Sequence, residues 1–270
     1  MNSIPIYQVD AFSKNLFSGN PAAICVIKEW LSDETMQSIA LENNLSETAF
    51  VNISLKPFYI RWFTPENEMG LCGHATLASA RILFDEYMDK NSSEIIFQAN
   101  RGRLRAIKKG DLIYLDFPKD FPNPIANNEK IIDALRLKPK KLFKGIDDYL
   151  AILDTEEDVK NVELNFEKIS ELDARGLIIS ANGVNTDFVC RCFYPSSKIN
   201  EDPVTGSAHT LLAPYWAEAL NKKFLTSYQC SQRGGLLNCE LLEDRVLIGG
   251  ASVRYMNGTI NLPSQKNLKS

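Results

Sequence analysis

The feature that most limits the fold of this 270-residue chain is an internal repeat. Segments of similar sequence recur in the same order, about 130 residues apart. The matched pairs are Arg61-Trp62-Phe63-Thr64-Pro65 with Arg191-Cys192-Phe193-Tyr194-Pro195, Gly73-His74-Ala75 with Gly206-Ser207-Ala208, Gln98-Ala99-Asn100-Arg101-Gly102 with Cys230-Ser231-Gln232-Arg233-Gly234, and Asp111-Leu112-Ile113-Tyr114-Leu115 with Asp244-Arg245-Val246-Leu247-Ile248. Ordered matches at a nearly constant spacing predict two copies of one unit.

A proline-rich segment separates the two copies. Residues 117–124 read Phe-Pro-Lys-Asp-Phe-Pro-Asn-Pro, a proline density typical of a linker and unfavourable to regular structure. We therefore predict an N-terminal half over residues 1–118 and a C-terminal half over residues 125–270. The first half carries Glu47 and the Gly73 loop, and the second carries the loop from Asp202 to Ser207.

Short alternating or β-branched segments dominate the first half and predict strands. They span residues 4–9, 22–27, 48–53, 59–64, 94–98 and 112–117. Two other runs, 75–88 and 210–220, are apolar nearly all round and predict buried helices, although Pro214 should kink or break the second. The fold class expected is α+β, with two pseudo-symmetric halves, each a curved sheet or barrel wrapped around a central helix.

Composition excludes several kinds of protein. Hydrophobic residues make up 44% and charged residues 24%, as in an ordinary folded domain, and the net charge of −4 disfavours a nucleic-acid partner. No run approaches the roughly 20 apolar residues of a membrane span. The first ten residues lack the pattern of a signal peptide, which predicts a cytoplasmic protein. The six cysteines have no metal-site spacing and are interpreted as reduced thiols.

Each predicted central helix begins just after a glycine turn, at Gly73 and at Gly206. Glycine lets backbone N–H groups approach a ligand closely, and helix N-termini attract anions. A single turn of this kind is more often an ordinary helix entry, but its repetition at equivalent positions favours a binding role. If the halves pack about a pseudo-two-fold axis, both helix starts face one cleft suited to a small carboxylate.

Glu47 is a candidate proton carrier. In the strand pattern of residues 45–51 it shares a face with Leu45, Ala49 and Val51, so its carboxylate points into apolar surroundings. Desolvation disfavours a charged carboxylate and favours proton exchange near neutral pH. The alternative is a solvated glutamate at a strand edge or a cap for a turn.

Polar residues at the two helix starts supply further candidates. His74 lies in the first helical turn, where the dipole favours a neutral imidazole able to donate to a ligand. Asp202 could orient a histidine or an ammonium, or accept in a turn before Pro203. Ser207 could bind a carboxylate or cap the helix. His209 is interpreted as a helix-start or packing residue. No serine-nucleophile, phosphate-loop or dinucleotide fingerprint is found.

The motifs together resemble the PhzF family of phenazine biosynthesis-like isomerases, which have the diaminopimelate epimerase-like fold. The resemblance covers nearly the whole chain. It rests on Val9-Asp10-Ala11-Phe12, Gly19-Asn20-Pro21-Ala22, Asn44-Leu45-Ser46-Glu47-Thr48-Ala49-Phe50, Arg61-Trp62-Phe63-Thr64-Pro65, Leu71-Cys72-Gly73-His74-Ala75-Thr76, Asn185-Thr186-Asp187-Phe188 and Glu201-Asp202-Pro203-Val204-Thr205-Gly206-Ser207-Ala208.

The resemblance implies roles for these residues. Glu47 is similar to the family's acid/base glutamate, with His74, Asp202 and Ser207 as catalytic polar groups around it. The implied substrate-binding residues are Asn20, Cys72, Gly73, Thr205 and Gly206. The resemblance further implies a homodimer that needs neither a metal nor an organic cofactor.

The chemistry implied is an isomerisation that moves a proton within a small carboxylate-bearing substrate, whose identity no residue pattern specifies. Related racemases place a cysteine at each glycine loop, whereas this chain has Cys72 and Thr205, which excludes a two-thiol exchange. A dehydratase or lyase acting on a hydroxy amino acid stays open as an alternative. So does a homologue that binds a small molecule without turning it over.

Overall fold

The computed structural model describes residues 3–262, and the chain divides into two compact units. The first unit runs to Leu115 and includes the segment from Ala251 onward. The second comprises Asp116–Gly250. Within the described residues, no helix has both the length and the apolar character needed to cross a membrane.

The first unit is built mainly of strands. They are β1 (Ser3–Ala11), β2 (Asn20–Ile27), β3 (Glu47–Asn52), β4 (Phe58–Phe63), β5 (Glu68–Met69), β6 (Glu94–Ala99), β7 (Gly102–Lys109) and, from the C-terminal segment, β17 (Ser252–Asn261); β8 (Leu112–Pro118) crosses the boundary between the units. Helix α1 (Asp33–Asn43) joins β2 to β3, and α2 (Gly73–Glu86) lies between β4 and β6. The six strands and the central helix predicted for this half are confirmed, apart from small shifts at their ends.

The second unit contains eight strands, four α-helices and a short 3-10 helix (Pro195–Ser197) within the described residues. The strands are β9 (Asn123–Ile125), β10 (Lys141–Lys144), β11 (Asp148–Ile152), β12 (Gly176–Asn182), β13 (Phe188–Phe193), β14 (Phe224–Gln229), β15 (Gly235–Leu241) and β16 (Arg245–Gly250). The helices are α3 (Glu129–Leu135), α4 (Glu156–Asn161), α5 (Phe166–Ser170) and α6 (His209–Leu220). The central helix predicted for this half is confirmed as α6.

Strand pairing confirms the internal repeat. In the first unit, the successive pairs of β1, β2, β3, β4, β6 and β7 are antiparallel, parallel, antiparallel, parallel and antiparallel. The strands β10 to β15 repeat that series in the second unit. Each parallel pair is joined through helix, as parallel strands require a crossover.

The repeated arginine motif is an ion pair present in both units. Arg61 Nε lies 2.7 Å from Glu68 Oε1, and Arg191 Nε lies 2.7 Å from Glu201 Oε1. Each guanidinium also covers the phenylalanine two residues later, at 5.2 Å in the first unit and 5.1 Å in the second. The sequence match therefore reflects a shared local structure, an arginine held between an aromatic face and a carboxylate.

Helix α2 is buried because it has almost no polar face. Ten of its residues between His74 and Phe84 are buried, and the helix packs against β1, β2, β3 and β17. Helix α6 packs in the same way against β14, β15 and β16. A helix enclosed by its own sheet has its N-terminal amides inside the protein, where they require partners.

Helix α6 continues through Pro214, so the predicted kink or break is not a break. A proline in a helix leaves the carbonyl four residues earlier without its donor. That carbonyl belongs to Thr210, and the backbone N–H of Asp120 donates to it at 3.0 Å. This tertiary contact supplies the missing hydrogen bond within the continuous helix.

Two predictions about boundaries need correction. The half assigned to residues 125–270 loses its C-terminal segment, because β17 pairs with β1 in the first unit. The proline-rich segment is not free of regular structure: β9 begins in it, with Pro124 opposite Phe143 of β10. Proline is tolerated in such a short strand when its nitrogen needs no partner. The α+β class is confirmed, and of the predicted curved sheet or barrel the structure shows a sheet that is not closed.

His209 is a fully buried residue at the start of α6. Its Nδ1 lies 2.9 Å from the carbonyl oxygen of Thr205, and its Nε2 lies 2.9 Å from Ser227 Oγ. A carbonyl only accepts, so Nδ1 carries the hydrogen and Nε2 accepts from the hydroxyl. Burial lowers the pKa of His209 to about 4, although the bond to Thr205 opposes this effect. The histidine is a neutral packing residue, as expected.

This lowered pKa predicts acid sensitivity of the fold. In the unfolded chain a histidine has a pKa of about 6.5 and is protonated below that pH, whereas in the folded chain His209 stays neutral until the pH falls to about 4. The free energy of unfolding therefore decreases as the pH falls from about 6.5 to about 4. At pH 5 this residue lowers the free energy of unfolding by about 2 kcal/mol. We expect His209→Gln to remove that part of the difference in unfolding free energy between pH 7 and pH 5, measured by urea denaturation. The control His74→Gln retains it, and an unchanged slope in His209→Gln would contradict the assignment.

Candidate active site

Glu47 is shielded from solvent at the first residue of β3. Helix α1 ends at Asn43, and Asn44 turns the chain with a left-handed φ of 48° before the strand begins. Asn43 Nδ2 donates to Thr48 Oγ1 at 3.0 Å, which ties the turn to the strand. Glu47 is only 9% exposed, because the neighbouring strand positions are buried on both faces. The predicted placement of the carboxylate inside the protein is therefore observed.

Cys72 and His74 lie at the start of α2. Cys72 is the N-cap residue, with extended backbone and no hydrogen bond from its side chain to cap the helix. Its carbonyl accepts from the hydroxyl of Thr76, and a similar bond occurs in the second unit, where the carbonyl of Thr205 accepts from the imidazole of His209. Gly73 is the first helical residue. The first turn consequently presents amide donors that no side chain caps.

Glu47, His74 and Cys72 form a chain of three buried polar groups. Glu47 Oε2 lies 3.1 Å from His74 Nε2, and Cys72 Sγ lies 3.6 Å from His74 Nδ1. The contact between carboxylate and imidazole is short but poorly aligned as a hydrogen bond. Both atoms are fully buried and lack an aligned hydrogen-bond partner among residues 3–262. Buried polar atoms are normally satisfied, so this arrangement suits a ligand that completes it.

The charges of this chain favour a protonated histidine. Burial lowers the pKa of His74, but the contacts with Cys72 and the negative charge of Glu47 act in the opposite direction and raise the pKa well above the usual value. This direction opposes the expected neutral imidazole, because the argument from the helix dipole did not include a carboxylate 3.1 Å away. Burial, followed by the charge of Glu47, raises the pKa of Cys72, which stays a thiol at neutral pH.

These three residues also carry ligand atoms suited to a metal, all within 4.8 Å of one another. The imidazole, however, presents one nitrogen to the thiol and the other to the carboxylate. A single ion binds one nitrogen of a histidine, whereas here the two nitrogens of His74 face different partners.

Asn20 lies at the same end of the sheet as Glu47. Asn20 is the first residue of β2 and is fully buried. Ala22, two residues later in the same strand, pairs with Glu47. Residues two apart share a strand face, so Asn20 and Ala22 point the same way. The structure thus brings Glu47, His74, Cys72, Gly73 and Asn20 to one region of the first unit.

The second predicted loop is held by a glutamine that was not predicted from the sequence. Gln229 Oε1 accepts from the backbone N–H of Thr205 at 2.8 Å, and its Nε2 donates to the carbonyl of Asp202 at 2.7 Å. Thr205 Oγ1 in turn donates to Asp202 Oδ2 at 2.6 Å. Both the backbone and the carboxylate of Asp202 are therefore fixed, a condition for a precise contact with a ligand.

Ser207 and Gly206 occupy the end of that loop. Ser207 Oγ lies 3.2 Å from Nη1 of Arg175 and makes no contact with Asp202 that would join the two predicted catalytic groups. Gly206 is buried, and its carbonyl accepts from the backbone of His209 at 3.0 Å. The prediction that the two glycine loops line one cleft stays a prediction.

A signal for Gln229 was present in the sequence. Strand β14 alternates buried Leu225, Ser227 and Gln229 with more exposed residues, so Gln229 is a polar residue at an inward position. The same kind of pattern identified Glu47. Arg175 had no such signal, because it lies in a charged surface segment and its contacts are with residues 27 and 32 positions away.

Comparison with known proteins identifies the family of this chain. The family model of phenazine biosynthesis-like proteins, PhzC-PhzF, matches residues 9–258. A Pseudomonas aeruginosa protein named as an uncharacterized isomerase is 45% identical over 96% of this chain and 99% of its own length. A mouse phenazine biosynthesis-like domain-containing protein is 40% identical over 95% of this chain and 99% of its own.

Solved structures with a similar fold include members of the same family. A PhzF family protein from Enterococcus faecalis has a TM-score of 0.93 and 44% identity, covering 97% of this chain and all of that one. A predicted epimerase from Pseudomonas aeruginosa has a TM-score of 0.77 at 20% identity, over 96% of this chain and all of that one, which shows a shared fold. The match over most of the sequence and the close structural agreement show that this chain belongs to the phenazine biosynthesis-like PhzC-PhzF family.

Proposed function

We propose that the protein is an isomerase that moves a proton within a small carboxylate-bearing substrate by general acid/base catalysis, without a cofactor. The observation that carries the proposal is the buried contact of Glu47 with His74, whose facing atoms have no aligned partner among the described residues. Relatives named as isomerases support the reaction class.

In this mechanism Glu47 handles the proton. Its carboxylate removes a proton from one substrate carbon, so a C–H bond breaks and an O–H bond forms. The same oxygen then returns the proton to a second carbon, and the carboxylate is restored. His74, whose pKa the adjacent negative charge raises, is the cationic neighbour of the Glu47 carboxylate during this transfer. Positioned acid/base groups typically contribute about 10²–10⁴-fold to a rate.

The substrate carboxylate is assigned to the helix starts. The uncapped first turn of α2, with Gly73 as its first residue, offers backbone donors and the positive end of the dipole. In the second unit, Asp202 and Ser207 stay predicted catalytic groups and Thr205 and Gly206 predicted substrate contacts, and the fixed geometry of Asp202 supports its role. A homodimer stays a prediction from family resemblance, and a cytoplasmic location stays a prediction from the sequence.

Glu47→Gln tests the proposal directly. The amide keeps the shape of the side chain but cannot carry the proton, so deuterium uptake from heavy water into the substrate should fall by at least about 100-fold. Small carboxylates that stabilise the protein in a thermal-shift screen supply the candidate substrates, and NMR follows the exchange. Glu42→Gln, at an exposed site on α1, is the matched control and should exchange normally. Normal exchange in Glu47→Gln would assign the chemistry elsewhere.

Cys72→Ala separates isomerase from dehydratase. Because Cys72 contacts His74, the thiol is the second group that could handle a proton. We expect Cys72→Ala to keep deuterium exchange within about tenfold of wild type, since it lacks only a bystander thiol. Loss of exchange in this variant, together with release of water from a hydroxy amino acid by wild type, would instead support elimination. Ligand stabilisation without exchange in wild type would indicate a binding protein.

The protonation state of Cys72 gives a test that needs no substrate. Its raised pKa predicts a slow reaction with iodoacetamide at pH 7.5, because the thiolate is the nucleophile. Cys230 is less buried and has a pKa raised to about 11, so it should be labelled first among the six cysteines. Peptide mass spectrometry of native and denatured protein provides the comparison. Rapid labelling of Cys72 in native protein would show that it is a thiolate.

A further inference from the structure

Arg175 is an arginine of the second unit whose contacts reach the predicted ligand loop. Its Nε lies 3.0 Å from Asp148 Oδ1, and its Nη2 donates to Asp148 Oδ2, so the guanidinium is held side-on by one carboxylate. Its Nη1 lies 3.2 Å from Ser207 Oγ. The guanidinium also lies 5.0 Å above the ring of Tyr194. Asp148 is buried at the start of β11, which makes this anchor rigid.

The contact decides how Ser207 can act. A guanidinium only donates, so Ser207 Oγ must accept from Arg175, and the hydrogen of the serine hydroxyl points elsewhere. No residue in the described part of the chain accepts that hydrogen. The contact with Arg175 therefore leaves the Ser207 hydroxyl hydrogen available to donate, which is what an anionic ligand group requires.

Arg175 also keeps donors of its own. A guanidinium has five N–H groups; two donate to Asp148 and one to Ser207, which leaves two without a partner in residues 3–262. The side chain is 38% exposed, so a ligand can reach them. The hydroxyl of Tyr194, the ring that Arg175 covers, is buried and likewise has no hydrogen-bond partner in the described chain.

The charge around this group limits the ligand. Asp148 already neutralises the guanidinium, and the neighbouring Asp147 adds negative charge. These carboxylates would repel a doubly charged phosphate. A ligand with a single carboxylate matches the planar guanidinium of Arg175 and the neighbouring hydroxyl of Ser207.

We propose that Arg175 is a positioning and specificity residue that, with Ser207, forms a subsite for the carboxylate of an organic monoanion. This proposal rests on the proposed function in one respect: it assumes that the loop from Asp202 to Ser207 belongs to the ligand site. The subsite discriminates by charge: an acid binds, and the amide of the same shape does not.

The test uses benzoate and benzamide as probes, since they differ only in the anionic group. We expect wild type to bind benzoate at least about tenfold more tightly than benzamide in NMR titrations, as a charge-assisted hydrogen bond predicts. Arg175→Gln and Ser207→Ala should each weaken benzoate binding by about tenfold. Arg175→Lys should weaken benzoate binding less, because lysine keeps the positive charge but lacks the planar guanidinium. Binding should also shift the Nε–H signal of Arg175, assigned by its absence in Arg175→Lys.

Control variants show whether the effects are specific to Arg175 and Ser207. Arg254→Gln removes another arginine in an ion pair, with Glu86, and should bind benzoate like wild type. Ser207→Ala leaves the pair of Arg175 and Asp148 intact, so its effect cannot come from misfolding around an unpaired aspartate. Benzoate titration reports binding alone and heavy-water exchange reports turnover, so loss of one without the other distinguishes failure of the subsite from failure of the proposed reaction.

Three results would overturn the proposal. Benzoate binding in Arg175→Gln and Ser207→Ala as tight as in wild type would remove both residues from the subsite. Equal affinity for benzoate and benzamide would show that charge is not recognised. Failure of wild type to bind benzoate at all would show that the two unpaired N–H groups and the serine hydroxyl do not form an anion site.

Discussion

Burial of the central helix of each unit is the constraint on which the rest of the structure depends. Helix α2 has no polar face to expose, so its own sheet must enclose it. Its first turn is then buried with amide groups that Cys72 does not cap. Polar side chains must gather there, and Glu47 and His74 do so. The site follows from the need to satisfy a helix end that lies inside the protein.

The two histidines show how neighbours decide the chemistry of one residue type. Both are buried in the first turn of a central helix. His74 faces a carboxylate and a thiol, which raise its pKa despite burial. His209 faces a carbonyl and a hydroxyl, neither of which carries charge, so burial dominates and its pKa falls to about 4. The neighbours therefore shift the pKa of the two histidines in opposite directions, although both are buried.

Much of the fold was predictable because the repeat and the alternation of apolar residues are local patterns. The strand holding Glu47, both central helices and the inward direction of the glutamate followed from periods of two and 3.6 residues. Predictions failed where a distant residue supplied the missing interaction. Asp120 restores the hydrogen bond lost at Pro214, and β17 returns to pair with β1. The pKa of His74 depends on a carboxylate 27 positions earlier in the chain.

The sequence by itself determined that there are two copies of one unit, that each encloses a helix, and that an acidic residue points inward, because these properties depend on the spacing of neighbouring residues. The tertiary structure alone decided which groups meet. It joined Glu47 to His74, placed Gln229 beneath the loop of Asp202, and directed Arg175 to Ser207. Hydrogen bonds and charges act over a few ångströms of space, and distance along the chain does not reveal which residues come that close.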